Sequence, residues 1–313
     1  MTGREGTMTD WSWIPPREGG AVPRLIDTGE AMLETVVAGP EDADTVAVLL
    51  HGFPELNISW RFQIPMLVAR GIRVYAPNLR GYGASSRPKG VDAYHIDRLT
   101  QDVAGLIDAA RAETGASRTI LVAHDWGGAI AWDFAIRALR PLDALIVCNM
   151  PHPHTFARAV ATSRAQRRKS WYVAFFQLPW LPEAMMRAGG ARAVREAFVG
   201  TAAHPENFPP SVLEAYARNA LRPGGMTAML NYYRSAVRTR QRMTGGDGRV
   251  DTPTLLLWGT ADMALGEETL EGIESYVPDL SLEKLPGMSH WVQQDAPDAV
   301  NAHMTRWLDA QGL

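Results

Sequence analysis

An aspartate at position 125 occupies a turn of the kind that displays a nucleophile. The sequence Ala-His-Asp-Trp-Gly-Gly at 123–128 directly follows an apolar run of strand length. Small residues on both sides of Asp125 permit a sharp strand-to-helix turn, the nucleophile elbow, which exposes its middle side chain above a sheet. Serine usually occupies this position, yet the chain contains no Gly-x-Ser-x-Gly segment. Because an aspartate can also simply cap the following helix, the assignment of Asp125 as a nucleophile depends on its partners.

Two partners follow Asp125 along the chain in the order that such an elbow requires, first an acid and then a histidine. Asp262 ends a Gly-Thr-Ala-Asp segment after the apolar run 254–258, and His290 follows the run 280–285. Each stands at the carboxyl end of a predicted strand, where parallel sheets collect their functional residues. The pattern predicts a triad in which Asp125 attacks, His290 acts as base and Asp262 orients the imidazole.

A His-Gly turn upstream supplies the other feature of such a site. The sequence His-Gly-Phe-Pro-Glu follows another strand-like run. The turn directs the backbone N–H of Phe53 into the site, where it forms an oxyanion hole with the N–H of Trp126. We interpret His51 and His124 as residues that hold these turns rather than as general bases. The bond before Pro54 is compatible with either isomer, since proline tolerates the cis form.

His152 and His154 have a spacing that could suit a zinc ion. No third cluster of ligands accompanies them along the chain, whereas zinc sites in proteins use three or four protein ligands. The sequence therefore predicts no metal and no cofactor.

The elements that must position these residues are apolar runs separated by helical patterns. Near-continuous Val, Ile and Leu content suits strands that are covered on both faces, and hence a mostly parallel sheet. A turn at 27–30 joins two short segments into an antiparallel hairpin, and after residue 150 the pattern becomes helical. The sequence predicts a core of residues 1–150 and 250–313 and an inserted helical cap of residues 151–249. The predicted strands are 45–50, 73–78, 119–123, 144–149, 254–258 and 280–285.

Composition narrows the class of partners. The 313 residues include 31 Lys and Arg against 34 Asp and Glu, a formal net charge of −3. Nucleic acid and anionic membranes both attract basic surfaces, so neither is expected as a partner. Cys148 is the only cysteine, and no apolar run reaches the ~18 residues of a membrane span or forms a signal peptide. We expect a cytoplasmic protein that acts on a small molecule.

Taken together, these motifs resemble those of epoxide hydrolases with the α/β-hydrolase fold, and the resemblance covers nearly the whole chain. That family carries two cap tyrosines, which Tyr172 and Tyr233 match. The fold implied is a mostly parallel central sheet with helices on both faces and an inserted helical cap. The motifs that carry the resemblance are His-Gly-Phe-Pro-Glu at 51–55, Arg-Gly-Tyr-Gly at 80–83, His-Asp-Trp-Gly-Gly at 124–128, Asp262 and His290. The residues expected in the substrate pocket are His51, Pro54, Trp126, Trp171, Phe176 and Trp291.

This set of residues suits the opening of an epoxide by water. An ionised carboxylate attacks the ring carbon without a base to deprotonate it. The resemblance implies that Tyr172 and Tyr233 bind the epoxide oxygen and donate a proton to it. The ester formed on Asp125 is then cleaved by a water that His290 deprotonates, and the product is a vicinal diol.

Two other functions stay open at this point. A haloalkane or haloacid dehalogenase would use the same fold and nucleophile, but a departing halide needs N–H donors rather than a proton. A non-catalytic protein that captures a small ligand could also retain these residues. The complete set of nucleophile, base, acid and two proton donors favours epoxide hydrolysis. Both a monomer and a homodimer are compatible with the sequence.

Overall fold

Eight strands form one sheet in the computed structural model, which describes residues 21–238 and 247–313. The strands are β1 (Val22–Asp27), β2 (Met32–Ala38), β3 (Thr45–Leu50), β4 (Arg73–Pro77), β5 (Arg118–His124), β6 (Ala144–Cys148), β7 (Thr254–Gly259) and β8 (Leu280–Leu285). Their spatial order is β1-β2-β4-β3-β5-β6-β7-β8.

The strands from β3 to β8 run parallel, as their apolar runs predict. Every residue of β3, β4, β6 and β7 is buried, so both faces of the sheet are covered. Because the strands are parallel, the segments that follow β3, β5, β6, β7 and β8 all leave the sheet at one edge. The predicted α/β-hydrolase fold is confirmed.

The first two strands form the predicted antiparallel hairpin. β1 pairs with β2 along its whole length, and β2 continues antiparallel onto β4. The turn between them is closed by a hydrogen bond from the Thr28 N–H to the Ala31 carbonyl oxygen at 2.9 Å.

Two predicted strands end one residue earlier than expected, in each case because an asparagine leaves the strand. Asn78 follows β4, and its side-chain Oδ1 accepts a hydrogen bond from the Asn57 N–H at 2.9 Å. Asn149 follows β6 and adopts a positive φ of 38°, which is incompatible with an extended strand. Both asparagines therefore begin the loops at the carboxyl edge.

Two groups of helices cover the sheet. The first consists of α2 (Ile96–Thr114) and α3 (Trp126–Ile136), which pack on each other and on the strands. Its apolar stripe on α2, formed by Leu99, Val103, Leu106, Ile107 and Ala110, is buried as its spacing predicts. The second group consists of α1 (Gln63–Ala69), α10 (Val292–Asp295) and α11 (Pro297–Gln311). No helix of the described ranges is long and apolar enough to span a membrane.

Six helices of the described residues, called here the inserted helices, lie between β6 and β7. α7 is interrupted at residues 188–191, where Gly189, Gly190 and Ala191 have positive φ. Residues 1–20 of the predicted core and residues 239–246 of the predicted cap lie outside the described residues. The inserted helices are α4 (Pro153–Thr162), α5 (Arg164–Lys169), α6 (Trp171–Phe175), α7 (Leu181–Val199), α8 (Pro210–Leu221) and α9 (Gly225–Arg238).

Candidate active site

Asp125 adopts a backbone conformation that side chains rarely occupy. It lies between β5 and α3 with φ 47° and ψ −121°, the sharp turn expected of a nucleophile elbow. Two glycines leave room for this turn. A Cβ at Gly52 would lie 2.4 Å from the Asp125 Cβ, and a Cβ at Gly127 would lie 2.3 Å from the Leu50 carbonyl oxygen. Larger residues at positions 52 and 127 would therefore displace the elbow.

One carboxylate oxygen of Asp125 is held by the backbone. The Phe53 N–H donates to Asp125 Oδ1 at 2.7 Å, and the Phe53–Pro54 peptide bond is cis. The second predicted donor, the Trp126 N–H, lies in the first turn of α3. Within residues 21–238 and 247–313, no hydrogen bond joins it to the carboxylate. Oδ1 therefore lies at the predicted oxyanion hole, where it accepts the hydrogen bond from the Phe53 N–H. The other oxygen, Oδ2, is the one nearer to His290.

His290 connects Asp125 to the second predicted carboxylate. Its Nδ1 lies 2.6 Å from Asp262 Oδ2, and its Nε2 lies 3.4 Å from Asp125 Oδ2. The loops after β5, β7 and β8 bring the three side chains together from positions far apart in the chain. Because Nδ1 is bonded to Asp262, the imidazole is oriented with Nε2 toward Asp125.

Asp262 is fixed by a residue that the sequence analysis did not identify. Its Oδ1 accepts hydrogen bonds from the N–H groups of Ala264 and Leu265, at 2.7 and 2.9 Å. Its Oδ2 also accepts a hydrogen bond from Asn149 Nδ2 at 2.9 Å. Asn149 is fixed in turn, since its Oδ1 accepts a hydrogen bond from the Gly259 N–H at 2.8 Å. The available signal was a polar residue directly after β6, the strand between the elbow strand and the strand before Asp262.

The three ionisable groups shift one another's pKa. Burial opposes ionisation of Asp125, but the hydrogen bond and charge of His290, together with His124 and the Phe53 N–H, lower the pKa of the carboxyl below its ordinary value. Burial likewise opposes ionisation of Asp262, and His290 lowers that pKa as well. Burial disfavours a charged His290, yet the two carboxylates raise its pKa well above 6.5. The resting site therefore holds an imidazolium between two carboxylates.

A buried glutamate ties the surrounding turns together. Glu55 Oε2 accepts a hydrogen bond from the Gly52 N–H at 2.8 Å and lies 2.8 Å from His124 Nδ1. Its Oε1 accepts a hydrogen bond from Gln294 Nε2 at 2.7 Å. His124 Nε2 donates to the carbonyl oxygen of His290 at 2.8 Å. This network joins the loops after β3, β5 and β8, and Glu55 was the member that sequence reasoning left without a role.

His51 holds the turn beneath the site. Its Nε2 accepts a hydrogen bond from the Leu79 N–H at 3.0 Å, and its Nδ1 donates to the Gly52 carbonyl oxygen at 2.9 Å. Burial lowers its pKa to about 4, so the ring is neutral at pH 7. These contacts match a positioning residue and leave neither nitrogen free to act as a base.

Two tyrosines of the inserted helices face the site. Tyr172 on α6 and Tyr233 on α9 pack edge to face with ring centroids 5.8 Å apart. Tyr233 also packs against Trp126 at 5.0 Å. Burial, followed by the charge of Asp125, raises the pKa of both phenols, so both hydroxyls keep their protons at pH 7. The structure places both predicted tyrosines in the wall of the cavity that contains Asp125.

That cavity has a volume of about 540 Å³ and lies between the elbow and the inserted helices. Most of its wall is apolar and comes from the residues after β6 and from α4, α6 and α9. The lining residues are Asp125, Trp126, Ala129, Met150, Pro151, Pro153, His154, Phe156, Ala157, Val160, Tyr172, Val173, Tyr233, Ala236, Val237 and Leu265.

Of the six pocket residues expected from the sequence, Trp126 lines this cavity and the other five do not. His51 and Pro54 are buried in the turn after β3. Trp171 is 65% exposed, because it lies on the outer side of α6.

The remaining two expected pocket residues are packed behind the cavity wall. Phe176 contacts Phe53 and Tyr233, with ring centroids 5.6 and 5.0 Å away. Trp291 donates from Nε1 to Thr201 Oγ1 at 2.8 Å and is otherwise buried. Both therefore support residues of the site rather than line it.

His152 is arranged for a structural role. Its Nε2 donates to the Gly248 carbonyl oxygen at 2.9 Å, and its Nδ1 accepts a hydrogen bond from the His154 N–H at 3.3 Å. Burial lowers its pKa to about 4. Both ring nitrogens are thus engaged, and the described part of the chain contains no group of three or more His, Cys, Asp or Glu placed to hold a metal ion.

Comparison with known proteins identifies the family to which the chain belongs. The family model described as the alpha/beta hydrolase fold matches residues 46–297. The AB hydrolase superfamily protein YfhM of Bacillus subtilis is 36% identical over 288 residues, which cover 92% of this chain and 98% of that protein. Epoxide hydrolase 1 of Caenorhabditis elegans is 35% identical over 291 residues, 91% of this chain and 70% of that protein.

A solved structure extends the similarity to three dimensions. The crystal structure of Bacillus megaterium epoxide hydrolase in complex with an inhibitor superposes with a TM-score of 0.81 at 30% identity. The match covers 91% of this chain and all of that one. The chain belongs to the α/β hydrolase family and, within it, to the epoxide hydrolases.

Proposed function

We propose that this protein hydrolyses a small-molecule epoxide to a vicinal diol through an ester on Asp125. It is a hydrolase that acts on ether bonds, in agreement with its relatives. The observation that carries the proposal is the juxtaposition of an ionised carboxylate and two protonated tyrosines in one largely apolar cavity. A carboxylate supplies the nucleophile, and the phenols supply the proton that the strongly basic leaving oxygen needs.

In the first step Asp125 Oδ2 attacks a ring carbon, and the bond from that carbon to the epoxide oxygen breaks. Oδ2 is the attacking atom because the Phe53 N–H holds Oδ1 at 2.7 Å. The released oxygen takes its proton from Tyr172 or Tyr233. Since Asp125 raises the pKa of both phenols, conversion of its carboxylate to a neutral ester makes them stronger acids as the ring opens.

In the second step a water attacks Cγ of the Asp125 ester while His290 Nε2 takes its proton. Before this attack the tyrosinate left by ring opening takes back a proton from His290 Nε2, which restores the phenol and leaves a neutral imidazole. That transfer is favoured because the loss of the Asp125 charge removes one of the two groups that raise the pKa of His290. The oxyanion forms on Oδ1, at the Phe53 N–H and beside the Trp126 N–H. Cleavage of the bond from Cγ to Oδ2, with transfer of the proton from His290 Nε2 to Oδ2, releases the diol. The water oxygen stays in the Asp125 carboxyl group, whose proton returns to His290 and restores the resting site.

The inserted helices act as a cap in this scheme. They supply both tyrosines and most of the apolar wall, whereas the nucleophile, base and acid come from the loops of the sheet. This division supports the predicted domains, with the described residues of 1–150 and 250–313 in the core and the described residues of 151–249 in the cap.

The test is diol formation from styrene oxide by the wild type and by Asp125→Ala, followed by chromatography. We expect the wild type to form the diol and the variant to form none while remaining folded by circular dichroism. Asp108→Ala is the matched control, because it removes an exposed carboxylate of α2 that pairs with Arg140. Halide release from 1-chlorobutane without diol formation would instead support a dehalogenase. Stable binding without turnover of either compound would support a non-catalytic protein.

A further inference from the structure

We propose that His154 determines substrate specificity, by donating a hydrogen bond to an acceptor on the part of the substrate remote from the epoxide ring. The inference rests on the proposed function and names the substrate class more closely. The preferred epoxide would carry an apolar body and an oxygen acceptor, such as a hydroxyl or carboxylate, at its far end.

The first observation is the composition of the cavity wall. Beyond the group formed by Asp125, Trp126 and the two tyrosines, every lining residue of the described chain is apolar except His154. The wall near it comes from α4, which also contributes Phe156, Ala157 and Val160. A single polar side chain in an apolar wall fixes the orientation of a ligand, because the remaining contacts are non-directional.

The second observation is that the imidazole is held from behind. Its ring packs edge to face on Tyr276 at 4.9 Å and on His152 at 5.5 Å. Gly248, at φ +84°, completes the support, since a Cβ there would lie 2.9 Å from the His154 Cε1. A side chain that is already oriented loses little conformational entropy when it binds a ligand.

The third observation is that the ring nitrogens of His154 have no hydrogen-bond partner among residues 21–238 and 247–313, although the residue is partly buried. Its neighbour His152 differs, because both of its nitrogens are engaged. An apolar substrate that covers His154 would remove its access to water without replacing the hydrogen bond. A substrate with an acceptor in reach would restore that bond, and an imidazole always carries at least one N–H to donate.

The size of the preference follows from the value of one hydrogen bond. If this hydrogen bond contributes a net free energy near the upper end of the range usual for hydrogen bonds in proteins, kcat/KM changes about 10-fold, which is about 1.4 kcal/mol. The quantity to measure is the ratio of kcat/KM for a terminal epoxide with an ω-hydroxyl group to that for the matching epoxyalkane.

The experiment compares such pairs, with six to twelve carbons, in the wild type, His154→Phe and His154→Gln. We expect the wild-type ratio to peak at one chain length, to fall about 10-fold in His154→Phe, and to be partly retained in His154→Gln, which keeps a donor. His204→Phe is the matched control, because it makes the same substitution at an exposed histidine outside the cavity and should leave the ratio unchanged.

Equal ratios at every chain length in the wild type, or the same peak in His154→Phe, would overturn the role of His154 while leaving the proposed function intact. Failure of the wild type to hydrolyse any of the epoxyalkanes would count against the proposed function itself, and this inference would fall with it. The two failures are therefore distinguishable in one data set.

Discussion

Substitution of Gly52 by alanine should disable the site without unfolding the protein. The added Cβ would lie 2.4 Å from the Asp125 Cβ and 2.7 Å from Oδ1, whereas ordinary contacts begin at 3.4 Å. Either the elbow or the turn after β3 must therefore move by about 1 Å, a displacement that can cost about 10²-fold in rate. The bond from the Phe53 N–H to Oδ1 lies next to this contact, and loss of one oxyanion donor costs about 10²–10³-fold in kcat.

The assay is the steady-state kcat for styrene oxide, together with urea unfolding of both proteins. Gly29→Ala is the control, because its added Cβ would meet nothing within 4 Å and the strain of its positive φ acts far from Asp125. We expect that variant to lose about 1–2 kcal/mol of unfolding free energy and to keep wild-type kcat. A folded Gly52→Ala enzyme with kcat within threefold of wild type would refute the close packing of the elbow against this turn.

Four further predictions concern the roles of individual side chains. His290→Gln should form the alkyl-enzyme but not release it, so intact-protein mass spectrometry should detect a stable adduct. Tyr172→Phe combined with Tyr233→Phe should lose far more kcat than either single change, since each phenol can replace the other. A double variant with the same kcat as the wild type would exclude proton donation by these tyrosines. Glu55→Leu should lose about 3–5 kcal/mol of unfolding free energy in urea, because it leaves buried donors unpaired. Because the pKa of His290 is raised in the folded state, its protonation contributes to the free energy of unfolding. This contribution is fully present below pH 6.5 and is lost as pH rises through the folded-state pKa, so urea unfolding across pH should show that loss at lower pH in Asp125→Asn.

The features that the sequence predicts well are those with a local cause. The strands appear as apolar runs because a parallel sheet is covered on both faces. The elbow at Asp125 and the hairpin turn near Gly29 depend on small residues within a few positions of the turn. Asp262 and His290 lie in the loops that follow two predicted strands, so their position at the carboxyl edge of the sheet could be predicted.

The features that the sequence does not reveal depend on packing between distant segments. Trp171 and Tyr172 are neighbours on α6, but successive helix residues point about 100° apart, so one faces solvent and the other the cavity. Asn149 supports Asp262 across 113 positions of sequence separation, a contact that no local pattern encodes. His154 offered only a spacing to His152, and nothing in the sequence distinguishes it from His152, whose two ring nitrogens are both hydrogen-bonded.

The most direct test of the account is a single turnover in ¹⁸O-water, with enzyme in excess over styrene oxide. The product diol and the peptide that contains Asp125 are both analysed by mass spectrometry. Attack by Oδ2 followed by hydrolysis at Cγ predicts ¹⁸O in the Asp125 carboxylate and an unlabelled diol from the first turnover. A labelled diol with an unlabelled Asp125 would mean that water attacks the epoxide directly, which would contradict the ester mechanism.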